Sequence, residues 1–372
     1  MTLRKEFSYF LLIFFIGSFF RIKNINLEDY WLDEMFSFYI SDPSLDLRST
    51  YSRHNSIEQI PITFNILLKY FYSLFGYNTE NGRYLVSFFG ILNILIAYKI
   101  AETFRNFTKF YIFFTICIAL NIFLIKYSLE LRPYSLLSLT TGISILYFLK
   151  YLNNEKEMNF IILFFLATIG ALVHPFGLIL LFSYIIFFFL NKNLINKNLI
   201  FYILIFFIIV FIFYFFYFIN LNEITSWIPK LEIKFFTDFF FQKFFGSRIL
   251  GIFHLLIFFS LIAYFYKDIM KSKKAMFLVF FIISSYLLPL IFAFIFKNIL
   301  IERYIIFVIL PILLLISYST SLIENKKISL IIFSFLILIT VGNFITEDSF
   351  KNLIFKKNLN KINFEKSFEI IK

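Results

Sequence analysis

Two adjacent carboxylates, Asp33 and Glu34, are the first residues in the chain whose types suit acid–base chemistry. They end the segment Asp29-Tyr30-Trp31-Leu32-Asp33-Glu34, which follows a long apolar run and so stands where hydrocarbon meets water. A carboxylate at such a boundary is partly desolvated, and this favours the proton uptake that a general base requires. An acidic pair alone is more typical of a solvated loop, so its position is what makes it a candidate.

Two arginines recur in similar surroundings, each just before an apolar run. Arg132 lies in Glu130-Leu131-Arg132-Pro133-Tyr134, and Arg303 in Glu302-Arg303-Tyr304. A guanidinium binds phosphate in a rigid fork, which the lysine ammonium cannot do. The alternative is a helix-end anchor that extends its charge into the headgroup layer, neutralised by the neighbouring glutamate.

The remaining polar candidates are weaker one by one. His174-Pro175 interrupts an apolar stretch, His54 lies beside Arg53 in a loop, and Arg83 precedes an apolar run. Such residues are more often structural than functional, and no cysteine or second histidine stands at metal-site spacing. Their convergence is the stronger signal, because the topology below predicts that one membrane face carries Asp33, Glu34, His54, Arg83, Arg132, His174 and Arg303.

The elements that must position these residues are predicted to be membrane helices. Of the 372 residues 60% are hydrophobic and only 16% charged, and apolar runs of about 20 residues, enough to cross a bilayer, follow one another. The chain is therefore predicted to be an all-α polytopic membrane protein with about eleven spans. These lie near residues 7–23, 84–104, 110–126, 133–152, 159–173, 175–190, 199–219, 248–266, 277–296, 304–322 and 328–345.

One transmembrane domain over residues 1–345 accounts for this pattern, with long outer loops at 24–83 and 220–247 and a lysine-rich tail at 346–372. The cluster Lys267 to Lys274 favours a cytoplasmic side for its loop, by the positive-inside rule. This orientation requires residues 160–190 to form two spans that break at His174. The first outer loop is expected to carry interfacial helices, one of them with its apolar face formed by Ile60, Phe64, Leu67, Phe71 and Leu74.

Several function classes lack support. The net charge of +12 is spread over short loops rather than gathered on one face, so no nucleic-acid partner is expected. No P-loop, dinucleotide glycine fingerprint, zinc-protease motif or nucleophile elbow is present in the sequence. The single Cys117 lies within an apolar run and is predicted to be a core residue.

Taken in order, the motifs resemble those of the integral-membrane GT-C glycosyltransferases, in the branch with protein O-mannosyltransferases and bacterial aminoarabinose and lipopolysaccharide-core sugar transferases. The matching pieces are Trp31-Leu32-Asp33-Glu34, Glu58-Gln59-Ile60-Pro61, Phe75-Gly76, Arg83-Tyr84, Tyr127 to Leu136, His174-Pro175-Phe176-Gly177 and Glu302-Arg303-Tyr304. The family often shows a Pro-Pro pair where this chain has Ile60-Pro61. Many members also carry a soluble C-terminal domain where this chain has a short tail.

The resemblance implies transfer of a sugar from a polyprenyl-phosphate carrier to a lipid, glycan or protein acceptor, with inversion. The expected location is a bacterial inner membrane with the active site facing outside. By analogy, Asp33 is the base and Glu34 supports it. A divalent metal, Mg or Mn, held by Asp33 and Glu34 stays open, because some relatives use one and others do not. The implied donor-phosphate residues are Arg132, Arg303, Arg83 and His174, and the implied substrate contacts are His54, Glu130, Tyr134 and Tyr304.

Two rival functions remain. A polytopic flippase or transporter of lipid-linked glycans also needs many spans and a few arginines, but it should place ionisable residues near the membrane midplane. An O-antigen polymerase or ligase usually has its largest outer loop late in the chain, whereas here the first loop is the longest.

Overall fold

The computed structural model describes residues 2–23, 25, 29–58, 60–103, 108–219, 228, 244–246, 248–296 and 298–346. Within these ranges all regular structure is helical, with no strand. Most of the predicted second outer loop, 220–247, and nearly all of the predicted tail, 346–372, lie outside the described residues. The division into one domain with a short tail therefore stays a prediction.

The helices follow the apolar runs of the sequence. They are α1 (Thr2–Ile22), α2 (Leu32–Ile40), α3 (Leu47–Ile57), α4 (Thr63–Phe75), α5 (Thr79–Glu102), α6 (Thr108–Leu120), α7 (Ile122–Tyr127), α8 (Tyr134–Asn154), α9 (Glu157–Val173), α10 (Gly177–Leu190), α11 (Lys197–Ile219), α12 (Arg248–Tyr264), α13 (Tyr266–Lys271), α14 (Lys273–Ile295), α15 (Ile309–Ser321) and α16 (Lys326–Thr346). Short 3-10 segments occupy Lys192–Leu194 and Glu302–Val308.

Each of the eleven predicted spans coincides with a helix or a pair of consecutive helices. In the described part of the chain, five are long and apolar enough to cross a membrane, namely 79–102, 134–154, 197–215, 273–295 and 302–321. The apolar stretches 7–22, 157–173, 177–190 and 249–264 are shorter. The polytopic helical fold is thus confirmed, while the count of eleven spans remains a prediction.

A break between α6 and α7 divides one predicted span into two helices. Asn121 caps α7, since its side-chain oxygen accepts a hydrogen bond from the Leu124 amide at 3.0 Å. The fully buried Arg21 donates to the carbonyl oxygens of Ala119 at 2.7 Å and Ile118 at 3.1 Å. These bonds satisfy carbonyls that the end of α6 leaves without helical partners.

The predicted break at His174 is present. The turn 174–176 separates α9 from α10, and the two helices pack against each other. Their approach is close: a Cβ atom added at Gly177 would lie 2.2 Å from the carbonyl oxygen of Gly170. Only a residue without a side chain fits there, so Gly177 fixes the place where the chain reverses and presents His174.

The predicted apolar face of the helix in the first loop is wrong in part. In α4 the side chain of Leu74 is 78% exposed, whereas Asn65 and Lys69, which are outside the predicted apolar set, are buried. The reason is that Lys69 Nζ donates hydrogen bonds to the carbonyl oxygens of Asp42 and Leu45, both at 2.6 Å. The helix therefore packs through a mixed stripe and leaves part of its apolar surface exposed.

Candidate active site

The site begins at the first turn of α2, which holds Asp33 and Glu34. Carboxylates are favourable at a helix N-terminus, where the backbone dipole is positive. Consecutive side chains on a helix point about 100° apart. Each carboxylate consequently has its own arginine: Asp33 pairs with Arg303 and Glu34 pairs with Arg83.

The pair of Glu34 and Arg83 is buried, with side chains 1% and 6% exposed. Arg83 donates from Nε to Oε1 at 3.0 Å and from Nη2 to Oε2 at 2.9 Å, as a two-pronged fork. Oε1 also accepts the backbone amide of Leu131 at 2.8 Å. Glu34 thus ties α2 to α5 and to the turn before α8, and both of its oxygens are engaged.

Arg132 has a carboxylate partner, Glu58, that was not among the predicted site residues. Its guanidinium forms a buried ion pair with Glu58 and donates to the backbone oxygen of Asp33 at 2.9 Å and to Ser37 Oγ at 3.0 Å. Burial alone would lower the pKa of Arg132, but Glu58, Tyr134 and Asp33 together outweigh it and hold that pKa well above its usual value. The signal was in the sequence, because Glu58 opens one of the motifs quoted above.

The pair of Asp33 and Arg303 is the most open of the three in this cluster. Arg303 Nη2 lies 3.1 Å from Asp33 Oδ2, and the side chains are 13% and 23% exposed. The Arg303 guanidinium also lies 5.1 Å from the Trp31 ring centroid, within cation–π range. A carboxylate that solvent reaches and a forked cation beside it are therefore available to a substrate.

His174 lies in an aromatic cluster near Arg303, whose guanidinium is 5.9 Å from the Tyr304 ring centroid. Its ring centroid is 4.8 Å from that of Tyr304, 5.7 Å from Phe176 and 5.8 Å from Tyr134. Burial, followed by the charges of Arg132 and Arg303, lowers the pKa of His174 to about 3. The imidazole is consequently neutral at physiological pH, so it can contact a ligand through an uncharged N–H, and its role at the donor phosphate stays a prediction.

The other candidate residues differ in whether they belong to the aromatic cluster. Tyr134 and Tyr304 belong to the aromatic cluster, and Glu130 lies in the turn before Arg132, whose amide donates to the Glu130 carbonyl at 2.7 Å. His54 is buried in α3, and burial lowers its pKa. It lies within electrostatic range of Glu58 and Arg132 but is absent from the aromatic cluster.

The residues named for a metal do not fit one in this arrangement. Asp33 and Glu34 face different arginines, so their oxygens do not converge. Within the described ranges no group of three or more histidine, cysteine, aspartate or glutamate side chains is arranged to hold an ion.

Comparison with known proteins adds a family match over part of the chain. The family model described as dolichyl-phosphate-mannose-protein mannosyltransferase matches residues 59–217, a range that includes Arg83, Arg132, Tyr134 and His174. A search of curated protein sequences finds no match.

The fold of this chain is similar to that of solved structures. ArnT from Cupriavidus metallidurans in the apo state has a TM-score of 0.62 at 14% identity, covering 89% of this chain and 63% of that one. The same protein bound to undecaprenyl phosphate has a TM-score of 0.57 at 13% identity, with 88% and 62% covered. The Archaeoglobus fulgidus oligosaccharyltransferase in the apo form has a TM-score of 0.60 at 12% identity, with 92% and 55% covered.

This chain spans less than two thirds of the length of these proteins. Its fold is similar to that of these membrane proteins, and the family model covers the part of the chain from residue 59 to residue 217.

Proposed function

We propose that this chain of GT-C fold transfers a sugar from a polyprenyl-phosphate carrier to a hydroxyl or amine of a lipid, glycan or protein. The observation that carries the proposal is the open pair of Asp33 and Arg303, with Arg303 Nη2 3.1 Å from Asp33 Oδ2. A base and a phosphate ligand side by side are what displacement of a lipid phosphate by a nucleophile requires. The undecaprenyl phosphate bound to the similar ArnT supports the carrier class.

The mechanism is a single displacement. The acceptor oxygen or nitrogen attacks the anomeric carbon of the sugar while its proton passes to the Asp33 carboxylate. The bond from that carbon to the phosphate oxygen breaks, and the electron pair leaves with the lipid phosphate. Arg303 stabilises the developing charge through its fork. Attack from the face opposite the leaving group inverts the anomeric configuration.

The other charged residues hold this pair in place. Arg132 is neutralised by Glu58, and its bond to the Asp33 carbonyl oxygen positions the base. Arg83 is neutralised by Glu34 in the same way and fixes the start of α2. Their role is therefore preorganisation, and Arg303 is the arginine assigned to the donor phosphate.

The proposed location is a bacterial inner membrane with the site facing outward. Support comes from the parity of the predicted spans and from the Lys267 to Lys274 loop, which is favoured on the cytoplasmic side. The rival flippase is disfavoured because Asp33, Arg132 and Arg303 lie at helix starts and in turns, whereas a transporter needs charges near mid-membrane. The polymerase or ligase reading is the second alternative, disfavoured because the first outer loop is the longest.

Replacement of Asp33 tests the assignment. Asp33→Asn is nearly isosteric but cannot take a proton at neutral pH, so turnover should fall by about two orders of magnitude or more. Asp29→Asn is the matched control, since Asp29 is an exposed carboxylate in the same segment, and it should keep wild-type turnover. Sugar transfer by correctly inserted Asp33→Asn protein at the wild-type rate would refute the base.

A further inference from the structure

Two buried polar atoms in the aromatic cluster lack a hydrogen-bond partner among the described residues. They are Tyr134 Oη and His174 Nε2, on residues 0% and 1% exposed. Buried polar atoms in native proteins nearly always have a partner, and leaving one without is unfavourable. Two such atoms on neighbouring rings indicate a place where a ligand supplies the missing partners.

The hydrogen-bond pattern settles which atom of His174 can donate. The backbone N–H of Phe176 donates to Nδ1 at 3.2 Å, so Nδ1 carries no proton. Because the ring is neutral, its one proton is on Nε2. The group facing the cluster is thus an uncharged N–H donor beside a tyrosine hydroxyl, which can donate or accept.

The surroundings of these two atoms suit a sugar ring better than an ion. The ring of Tyr304 lies 5.4 Å from that of Phe176 and 6.2 Å from that of Tyr134, so the surroundings of the two polar atoms are aromatic. Sites of this kind combine apolar walls with a few polar groups that fix orientation. The Arg303 guanidinium lies 5.9 Å from the Tyr304 ring centroid and 6.0 Å from that of Tyr134, at the edge of the cluster.

We propose that Tyr134 Oη and His174 Nε2–H bind hydroxyl groups of the donor sugar, with Tyr304 and Phe176 as the aromatic wall. Arg303 borders this subsite. The donor phosphate is therefore bound by Arg303, and the sugar ring by Tyr134 and His174. The inference rests on the proposed function, because it names where the donor's sugar lies. Tyr134 and His174 are therefore determinants of which sugar the site accepts.

The test measures binding of four lipids to the purified full-length protein in detergent. The probes are undecaprenyl-phosphate-mannose, undecaprenyl-phosphate-glucose and undecaprenyl-phosphate-galactose, each compared with bare undecaprenyl phosphate. Tyr134→Phe keeps the ring and removes the hydroxyl. Its affinity for the best-bound sugar lipid should fall roughly tenfold, which corresponds to the loss of one hydrogen bond. Its affinity for bare undecaprenyl phosphate should be unchanged. Thermal stability should be unchanged or higher, because a buried hydroxyl without a partner is removed.

His174 provides an independent variant pair. Glutamine places an N–H near the position of Nε2, whereas leucine places none there, so His174→Gln should bind the sugar lipid more tightly than His174→Leu. Equal binding by these two variants, together with no effect of Tyr134→Phe, would overturn the subsite. Equal weakening of sugar lipid and bare undecaprenyl phosphate would overturn it too, since the bound oxygen would then be the phosphate's. Failure of the wild-type protein to bind or transfer from any lipid-linked sugar would instead refute the proposed function.

Discussion

Glu34→Gln should destabilise the protein strongly, because Glu34 is the buried counter-ion of Arg83. The two side chains are 1% and 6% exposed, and Glu34 accepts two bonds from Arg83 and one from the Leu131 amide. Removing one partner of a buried ion pair costs about 3–5 kcal/mol. The matched control is Glu102→Gln, whose pair with Lys99 has side chains 36% and 57% exposed and should contribute about 1 kcal/mol or less.

The measurement is the free energy of unfolding in mixed detergent micelles for both variants and for Glu34→Gln with Arg83→Met. The double variant removes the charge that Glu34→Gln leaves buried, so it should recover part of the loss. A Glu34→Gln protein with wild-type stability and no turnover would contradict this reasoning and return Glu34 to the catalytic or metal-binding role that the resemblance implied.

Two further predictions address the fold and its orientation. Gly177→Ala should lower the free energy of unfolding by about 1–3 kcal/mol or more, because its Cβ would meet the Gly170 carbonyl. The control Gly342→Ala, whose Cβ would have nothing within 4 Å, should be neutral or slightly stabilising. Equal unfolding midpoints for the two variants would disprove the close approach. In a Cys117→Ser background, a cysteine that replaces the exposed Arg48 should react with an impermeant thiol reagent in intact cells, and one that replaces the exposed Lys271 should not. The reverse labelling would invert the proposed topology.

The helices were largely predictable because membrane thickness fixes the length of an apolar run. The buried face of α4 was not predictable. An apolar stripe predicts only that a helix has two unlike sides, and in a membrane protein the apolar side can face lipid while a polar side is buried. Lys69 illustrates this, since the carbonyl oxygens that bind it come from residues 24 and 27 positions earlier.

The positions of the site residues could be read from the sequence, but their pairing could not. Glu34 is 49 residues from Arg83 and Glu58 is 74 from Arg132, and spacing along a chain does not determine contacts at that distance. The neutral state of His174 depends on burial and on two arginines from other segments. Arg132 pairs with Glu58 because the chain folds back to bring the end of α3 beside the turn before α8, a contact that the neighbouring sequence does not predict.

The donor assay tests the proposed transfer most directly. Purified protein, in detergent free of carrier lipid, receives one acceptor preparation and either an undecaprenyl-phosphate-linked sugar or the corresponding nucleotide sugar, and transferred sugar is measured. The mechanism at Asp33 and Arg303 predicts transfer from the lipid-linked donor with release of undecaprenyl phosphate, and none from the nucleotide sugar. Transfer from the nucleotide sugar alone would contradict it, and intact lipid-linked sugar with no product would favour a flippase.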